Sequence, residues 1–299
     1  METGPTSHQA PVVVGYGGVG PADAAVRWAA REARSRGTWL KILHAVEYAL
    51  VPGPLGSVPY RADVFEHTTS KVLGEARLLA AGAAPDVQFH TEAVSEATVP
   101  ALVEASREAE LLVLGTHGYG ELGALALGST VYPVTSHAAC PVVVVRGDSE
   151  RRPGLDGPVM VAVDGSPGAL VALRFAAEAA LRAGASLTVM TVYPMPRYPG
   201  WTDSLFDAES PWIFDEGVRK EAQELVRRAA DTARAEHPDL TVGEMVACGH
   251  SGATIAHCAQ GFGLLVVGTR GHGTFSGLIL GSVSHSLLHR APCPVAVVR

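Results

Sequence analysis

The chain has 299 residues, 47% hydrophobic and 18% charged, with a formal net charge of -7; this suits a packed globular protein of two domains and excludes a long disordered chain. The acidic balance argues against a nucleic-acid partner held on a basic surface. No apolar run reaches the ~20 residues that span a bilayer and the opening METGPTSHQA shows no secretory signal, so a cytoplasmic protein with no membrane partner is expected.

In chain order, residues 1–10 read as a tail, 11–146 as a first domain, 147–157 (GDSERRPGLDG) as a polar linker and 158–299 as a second domain. The two domains are one unit written twice. Laid without a gap over 158–193, residues 11–46 are identical at 12 of 36 positions; 111–146 laid over 264–299 agree at 18 of 36. A duplicated fold with variable middle segments accounts for that pattern.

In the second unit, the apolar run 159–163 before Asp-Gly-Ser-Pro reads as a buried strand. Leu170, Leu173, Ala177, Ala180 and Leu181 follow at helical spacing, and Gly184 stops that helix. A strand is predicted over 186–193, an amphipathic helix over 216–236, a strand over 242–247 and a short helix over 253–260. A buried strand over 264–267, a helix over 282–289 and a last strand over 294–298 complete the unit, and the first unit follows the same order. Strands alternating with helices predict a mainly parallel sheet with helices on both faces, and such sheets bind ligands beyond the carboxyl ends of their strands.

At that edge lie two matching segments. Gly115-Thr116-His117-Gly118 is followed nine residues later by Gly128-Ser129, and Gly268-Thr269-Arg270-Gly271 is followed nine residues later by Gly281-Ser282. In each, glycines sit just past a buried strand and a Gly-Ser pair opens a helix. Glycine admits close backbone approach, and free N–H groups at a helix start attract phosphate without a lysine. One copy is ordinary strand-to-helix punctuation; two at identical spacing point to a phosphate cradle, with Ser129 and Ser282 as added hydroxyl donors.

This G-x-x-G-x(9)-G-S pattern, the VAVDGS at 161–166 and the closing APCPVAVVR at 291–299 resemble the ATP-binding type of the universal stress protein family, over nearly the whole chain as two tandem domains. The resemblance implies an α/β fold of two tandem doubly wound domains, each a five-stranded mainly parallel sheet with helices on both faces. It implies an ATP-binding stress-response or regulatory protein, with Mg²⁺ as a possible companion ion. Carried onto the second unit, it makes Asp164 the adenine residue with Val192 beside the base. It puts Gly268, Arg270, Gly271, Gly281, Ser282 and Val283 around ribose and phosphates. In the first unit the cradle residues are Gly115, Gly118, Gly128 and Ser129. There Gly17 stands for Asp164, Val19 for Ser166 and Ala45 for Val192, so the phosphate cradle survives without its adenine reader.

Other motifs have plainer readings. Gly15-x-Gly17-x-x-Gly20 matches a dinucleotide fingerprint, but the repeat makes it the counterpart of AVDGSP, and Pro21 would fall inside the early helix. The four cysteines, Cys140, Cys248, Cys258 and Cys293, form no C-x-x-C pair and read as buried reduced thiols. His285 and His289 lack the Glu of H-E-x-x-H and read as helix-surface histidines, so no metal site is expected. Asp203, Asp207, Glu209, Asp215 and Glu216 read as a solvated surface in and just after a long loop, and Arg270 is as much a solvated loop arginine as a phosphate ligand. No catalytic residue is assigned. The valine-rich terminal strands 141–146 and 294–299 sit at predicted sheet edges; apolar edges need cover, so an internal pseudo-dimer of the two domains and a homodimer through these strands are expected. A slow ATP-hydrolysing enzyme and a nucleotide-independent scaffold remain as rival classes.

Overall fold

The computed structural model describes residues 9–18, 21–46, 51–53, 56–58, 62–116, 127–146, 157–194, 210–271 and 280–299. Contacts divide the chain into two compact units, one running to Leu155 and taking in Cys293–Val297, the other Asp156–Pro292 with Val298–Arg299.

The first unit runs β1 (Val12–Gly15), α1 (Pro21–Arg36), β2 (Leu40–Ala45), a short hairpin of β3 (Val51–Gly53) and β4 (Gly56–Val58), α2 (Ala62–Ala83), β5 (Phe89–Val94), α3 (Thr98–Ala105), β6 (Leu111–Gly115), α4 (Val131–His137) and β7 (Val142–Val145). Its strands lie in the order β5-β2-β1-β6-β7, every pair parallel. The second unit holds β8 (Val159–Ala162), α5 (Pro167–Ala183), β9 (Leu187–Tyr193), α6 (Ser210–Glu236), β10 (Val242–Cys248), α7 (Ser251–Cys258), β11 (Leu264–Gly268) and α8 (Ser282–Arg290). Its strands lie in the order β10-β9-β8-β11, again parallel. The last strand, β12 (Val295–Val298), runs antiparallel to β7, with Val295 opposite Val144 and Val297 opposite Val142. The valines of β7 and β12 are buried, so this pairing covers the apolar edge of β7.

The sequence chemistry explains this fold. Inner strands covered on both faces have no polar side to show, so β6 and β11 are near-continuous Leu and Val, buried up to their closing glycines Gly115 and Gly268. Helices must then approach the sheet closely, and α5 does so with alanines: Ala169, Ala172, Ala176, Ala177 and Ala180 are all buried. Helix α1 repeats the device with Ala22, Ala25, Ala29 and Ala33. Small residues on the inward stripe replace the aromatic bulk that the sequence lacks. Helices α1 and α2 pack together, as do α3 and α4, α5 and α6, and α7 and α8.

Topology sets the site. In each unit the first strand lies between two neighbours reached in opposite directions: β1 between β2 and β6, β8 between β9 and β11. Loops leaving the carboxyl ends of these strands diverge and open a crevice at the switch point. The turns after β1 and β8 contain Gly18 and Gly165 at the same repeat position, with φ of 81° and 84°.

At two helix starts proline sets a boundary other than the expected one. Helix α6 begins at Ser210, earlier than the predicted 216, because a proline in the first turn (Pro211) is tolerated there. Pro21 opens α1 instead of interrupting it, so its position gives no argument against a helix that receives a ligand. The predicted C-terminal stop of α5 is Gly184, left-handed at φ 61° with its N–H returned to Ala180 and Leu181. A Cβ there would meet nothing within 4 Å, so Gly184→Ala carries only the left-handed backbone cost and should destabilise the protein by about 1 kcal/mol. Gly74, inside α2, also has open space around a new Cβ; Gly74→Ala should stabilise by roughly 0.5–1 kcal/mol. Urea denaturation of the two variants reads this pair of opposite signs.

Candidate functional site

Each unit has a cavity at its switch point. The second, of about 500 Å³, is lined by Asp164, Val192, Gly268, Arg270, Gly271, Gly281, Ser282 and Val283, so all eight residues singled out in this unit meet in one place. The size falls in the usual range for small-molecule sites.

Asp164 follows β8. Its Oδ1 accepts the Ser166 N–H at 3.0 Å, an Asx turn that fixes the carboxylate. The residue is exposed at the cavity, and its Oδ2 lies where a side chain on Gly271 would have to be. Ser166 is the N-cap of α5, its Oγ accepting the Ala169 N–H at 3.2 Å. The same Oγ lies 3.4 Å from the Arg270 carbonyl, so one serine joins the first turn of the unit to its glycine segment.

The glycines are required by close backbone approach. A Cβ on Gly268 would stand 3.1 Å from the Gly168 carbonyl group, and one on Gly281 would stand 3.3 Å from the Thr269 oxygen. The Gly281 N–H donates to that Thr269 oxygen at 2.7 Å, and in the first unit Gly128 repeats the bond to Thr116 at 2.7 Å. These two N–H groups close the neck of the loop and are not available to a phosphate. The donors lie one step on. Gly281 is the N-cap of α8 and, as glycine, has no side chain to cap that helix. The N–H groups of Ser282, Val283 and Ser284, its first turn, have no partner among the described residues. Ser284 Oγ donates to the Gly268 carbonyl at 2.7 Å and holds the helix start beside β11.

The first cavity, of about 430 Å³, is lined by Gly17, Ala45, Gly115, Gly128 and Ser129. Gly118 and Val19 lie outside the described residues, as does His117. The phosphate end of this cavity departs from its twin: α4 begins at Val131, two positions later in the repeat than α8. Pro133 is the reason. If α4 began at the Ser129 position, Pro133 would be its fifth residue and would lack an N–H for the Ser129 carbonyl; starting at Val131 keeps the proline in the first turn. The Val131 N–H instead closes a turn onto the Gly128 carbonyl at 3.2 Å.

Sequence reasoning did not single out several lining residues. Thr191, Ser251 and Ile255 line the second cavity. The latter two come from α7, which starts at Ser251, earlier than the predicted 253. The signal was Gly252, where a Cβ would come 2.7 Å from the Ser286 Cβ: the glycine lets α7 close on α8. Tyr16, His44, Thr68 and Thr98 line the first cavity.

The remaining candidates are placed apart from both cavities or outside the described residues. His285 and His289 have ring centroids 4.8 Å apart, and among the described residues no group of three metal-ligating side chains occurs. Asp203, Asp207 and Glu209 lie outside the described residues. Glu216 sits in α6 with Lys220 3.1 Å away, whose ammonium holds its carboxyl below the usual range by hydrogen bonding and charge. Cys140 and Cys293 are buried thiols as expected, but Cys248 is exposed and Cys258 half-buried. Among the described residues no helix is long and apolar enough to cross a membrane.

Comparison with known proteins agrees with the fold. The profile of the universal stress protein family matches residues 10–146 and again 157–299. A universal stress protein of Mycolicibacterium smegmatis is 33% identical over 299 residues, 96% of each chain. One from Mycobacterium tuberculosis is 32% identical over 293 residues, also 96% of each. In three dimensions the chain resembles a universal stress protein from Archaeoglobus fulgidus with a TM-score of 0.68 at 18% identity, over 97% of this chain and 99% of that one. With both halves matched and relatives of the same tandem length, the chain belongs to the universal stress protein family.

Proposed function

We propose that the protein is an ATP-binding regulatory member of its family, with the second cavity as the principal site. The observation that carries this reading is the pairing, in one crevice, of a fixed carboxylate with an uncapped helix start. Asp164, oriented by the Ser166 N–H, offers an acceptor to the amino group of adenine. The free N–H groups of Ser282, Val283 and Ser284 at the positive end of α8 suit phosphate. Val192, the penultimate residue of β9, lines the same cavity as Asp164 and gives the base an apolar wall. The bare backbones of Gly268 and Gly281 leave the space that side chains would fill. Ser282 is exposed at the cavity and can serve a magnesium ion accompanying the phosphates; Arg270, also exposed there, can neutralise charge.

Asp164→Ala tests the base end. A hydrogen bond to a charged group contributes roughly 1.5–3 kcal/mol, and exposure of this carboxylate places the effect at the lower limit. ATP affinity of the second site should fall about tenfold, while inorganic triphosphate affinity stays unchanged. Calorimetry showing equal ATP affinity for both proteins would remove Asp164 from the adenine role.

A further inference from the structure

The first cavity contains a buried side chain whose chemistry the loss of Asp164 does not explain. In both units the second strand ties itself to the carbonyl that follows the first strand. In the second unit Thr191 Oγ1 donates to the Val163 carbonyl at 2.7 Å, and its proton is thereby used. In the first unit His44 takes the equivalent place, with Nδ1 2.7 Å from the Tyr16 carbonyl. A carbonyl only accepts, so Nδ1 carries the proton, and the neutral ring presents Nε2 as a lone pair. His44 is 6% exposed and lines the first cavity, and Nε2 has no hydrogen-bond partner among the described residues. Nothing in its own unit that the structure describes takes up this acceptor, which leaves it to a donor in the cavity. Next to it in the lining is Gly17, where the second unit has its carboxylate. One wall of the first cavity lacks the acceptor that the second unit has there, and the adjoining strand offers another.

We propose that the first cavity is a ligand site in its own right, in which His44 Nε2 accepts the exocyclic amino group of an aminopurine nucleotide. The inference rests on the nucleotide reading given above and assigns the base-reading role in this unit to a residue outside the glycine pattern. A neutral imidazole is a weaker acceptor than a carboxylate, and α4 offers a later, partly closed helix start. The first site therefore holds ATP less tightly than the second but still distinguishes its base.

The test uses the full chain with the second cavity closed by Gly281→Val or, independently, weakened by Asp164→Ala. Each protein is titrated with ATP and with inosine triphosphate, which carries a carbonyl where ATP has the amino group. The first site should prefer ATP about tenfold, the effect of one hydrogen bond. His44→Thr copies the residue that makes the same carbonyl bond in the second unit, so it should keep the thermal midpoint while abolishing the preference. Adding Gly17→Asp to His44→Thr should restore it. A preference that survives His44→Thr overturns the proposal, as does a wild-type chain that binds ATP only at a site lost in Gly281→Val. A wild-type chain that binds no ATP in either cavity overturns the nucleotide reading itself, and this inference with it.

Discussion

Replacing Gly281 with valine should lower ATP affinity at the second cavity at least about hundredfold, a loss of roughly 2.7 kcal/mol. Gly281 has φ -68° and ψ 155°, extended backbone that valine adopts without strain, so folding is not the point of attack. The new Cβ would stand 3.3 Å from the Thr269 oxygen and 3.7 Å from the Arg270 Cα, and the two γ-methyls add further bulk at this close approach. Its N–H is also the donor that closes the neck onto Thr269 at 2.7 Å. The substitution therefore both fills space a phosphate needs and pries open the turn that sets the helix start. Calorimetric titration with ATP measures the effect, and a thermal midpoint near that of the wild type separates it from unfolding. Undiminished affinity in a folded Gly281→Val protein would show that the phosphates, if bound, lie elsewhere.

How far the sequence disclosed this site can be seen residue by residue. The repeat pointed to Gly268, Gly271 and Gly281 and the family resemblance to Asp164; all four line one crevice because loops at a switch point inherit their location from the strand pattern, and buried strands are visible as runs such as Leu264–Gly268. Gly184 was legible for a similar reason: a helix stop needs only local backbone. Which amides face a ligand was not legible. Gly281 and Gly128 spend their N–H groups on carbonyls twelve residues back in the chain, a pairing that no local pattern reveals. The late start of α4 is readable in principle from Pro133, since proline has no N–H to give, but it is one of eighteen differences between the aligned segments and nothing in the pattern marks it out. His44 was invisible for a further reason. A histidine in a strand looks like a core residue until the strand's neighbour shows that one ring nitrogen is taken and the other is not.

The first unit lacks a carboxylate at the Gly17 position and starts α4 two positions late, and the second unit's features do not amount to a machine for cleaving phosphate. Saturating Mg-ATP should accordingly give steady-state phosphate release well below the usual enzyme range of roughly 1–1,000 per second. Hydrolysis needs a group that orients the attacking water and cations that take up charge. Among the described lining residues of the second cavity, Asp164 is the sole carboxylate, and its bond from the Ser166 N–H together with its proposed adenine role commits it to the base end. The Ser284 hydroxyl donates its proton to the Gly268 carbonyl, which leaves Ser282 and Arg270 on the phosphate side, neither suited as a base at neutral pH. An ATP held but not turned over makes occupancy the output, and a protein with two unequal sites then responds over a wider span of ATP concentration than one with equal sites. Phosphate release within the enzyme range that disappears in Gly281→Val would overturn this reading and direct the search for a base to residues 195–209.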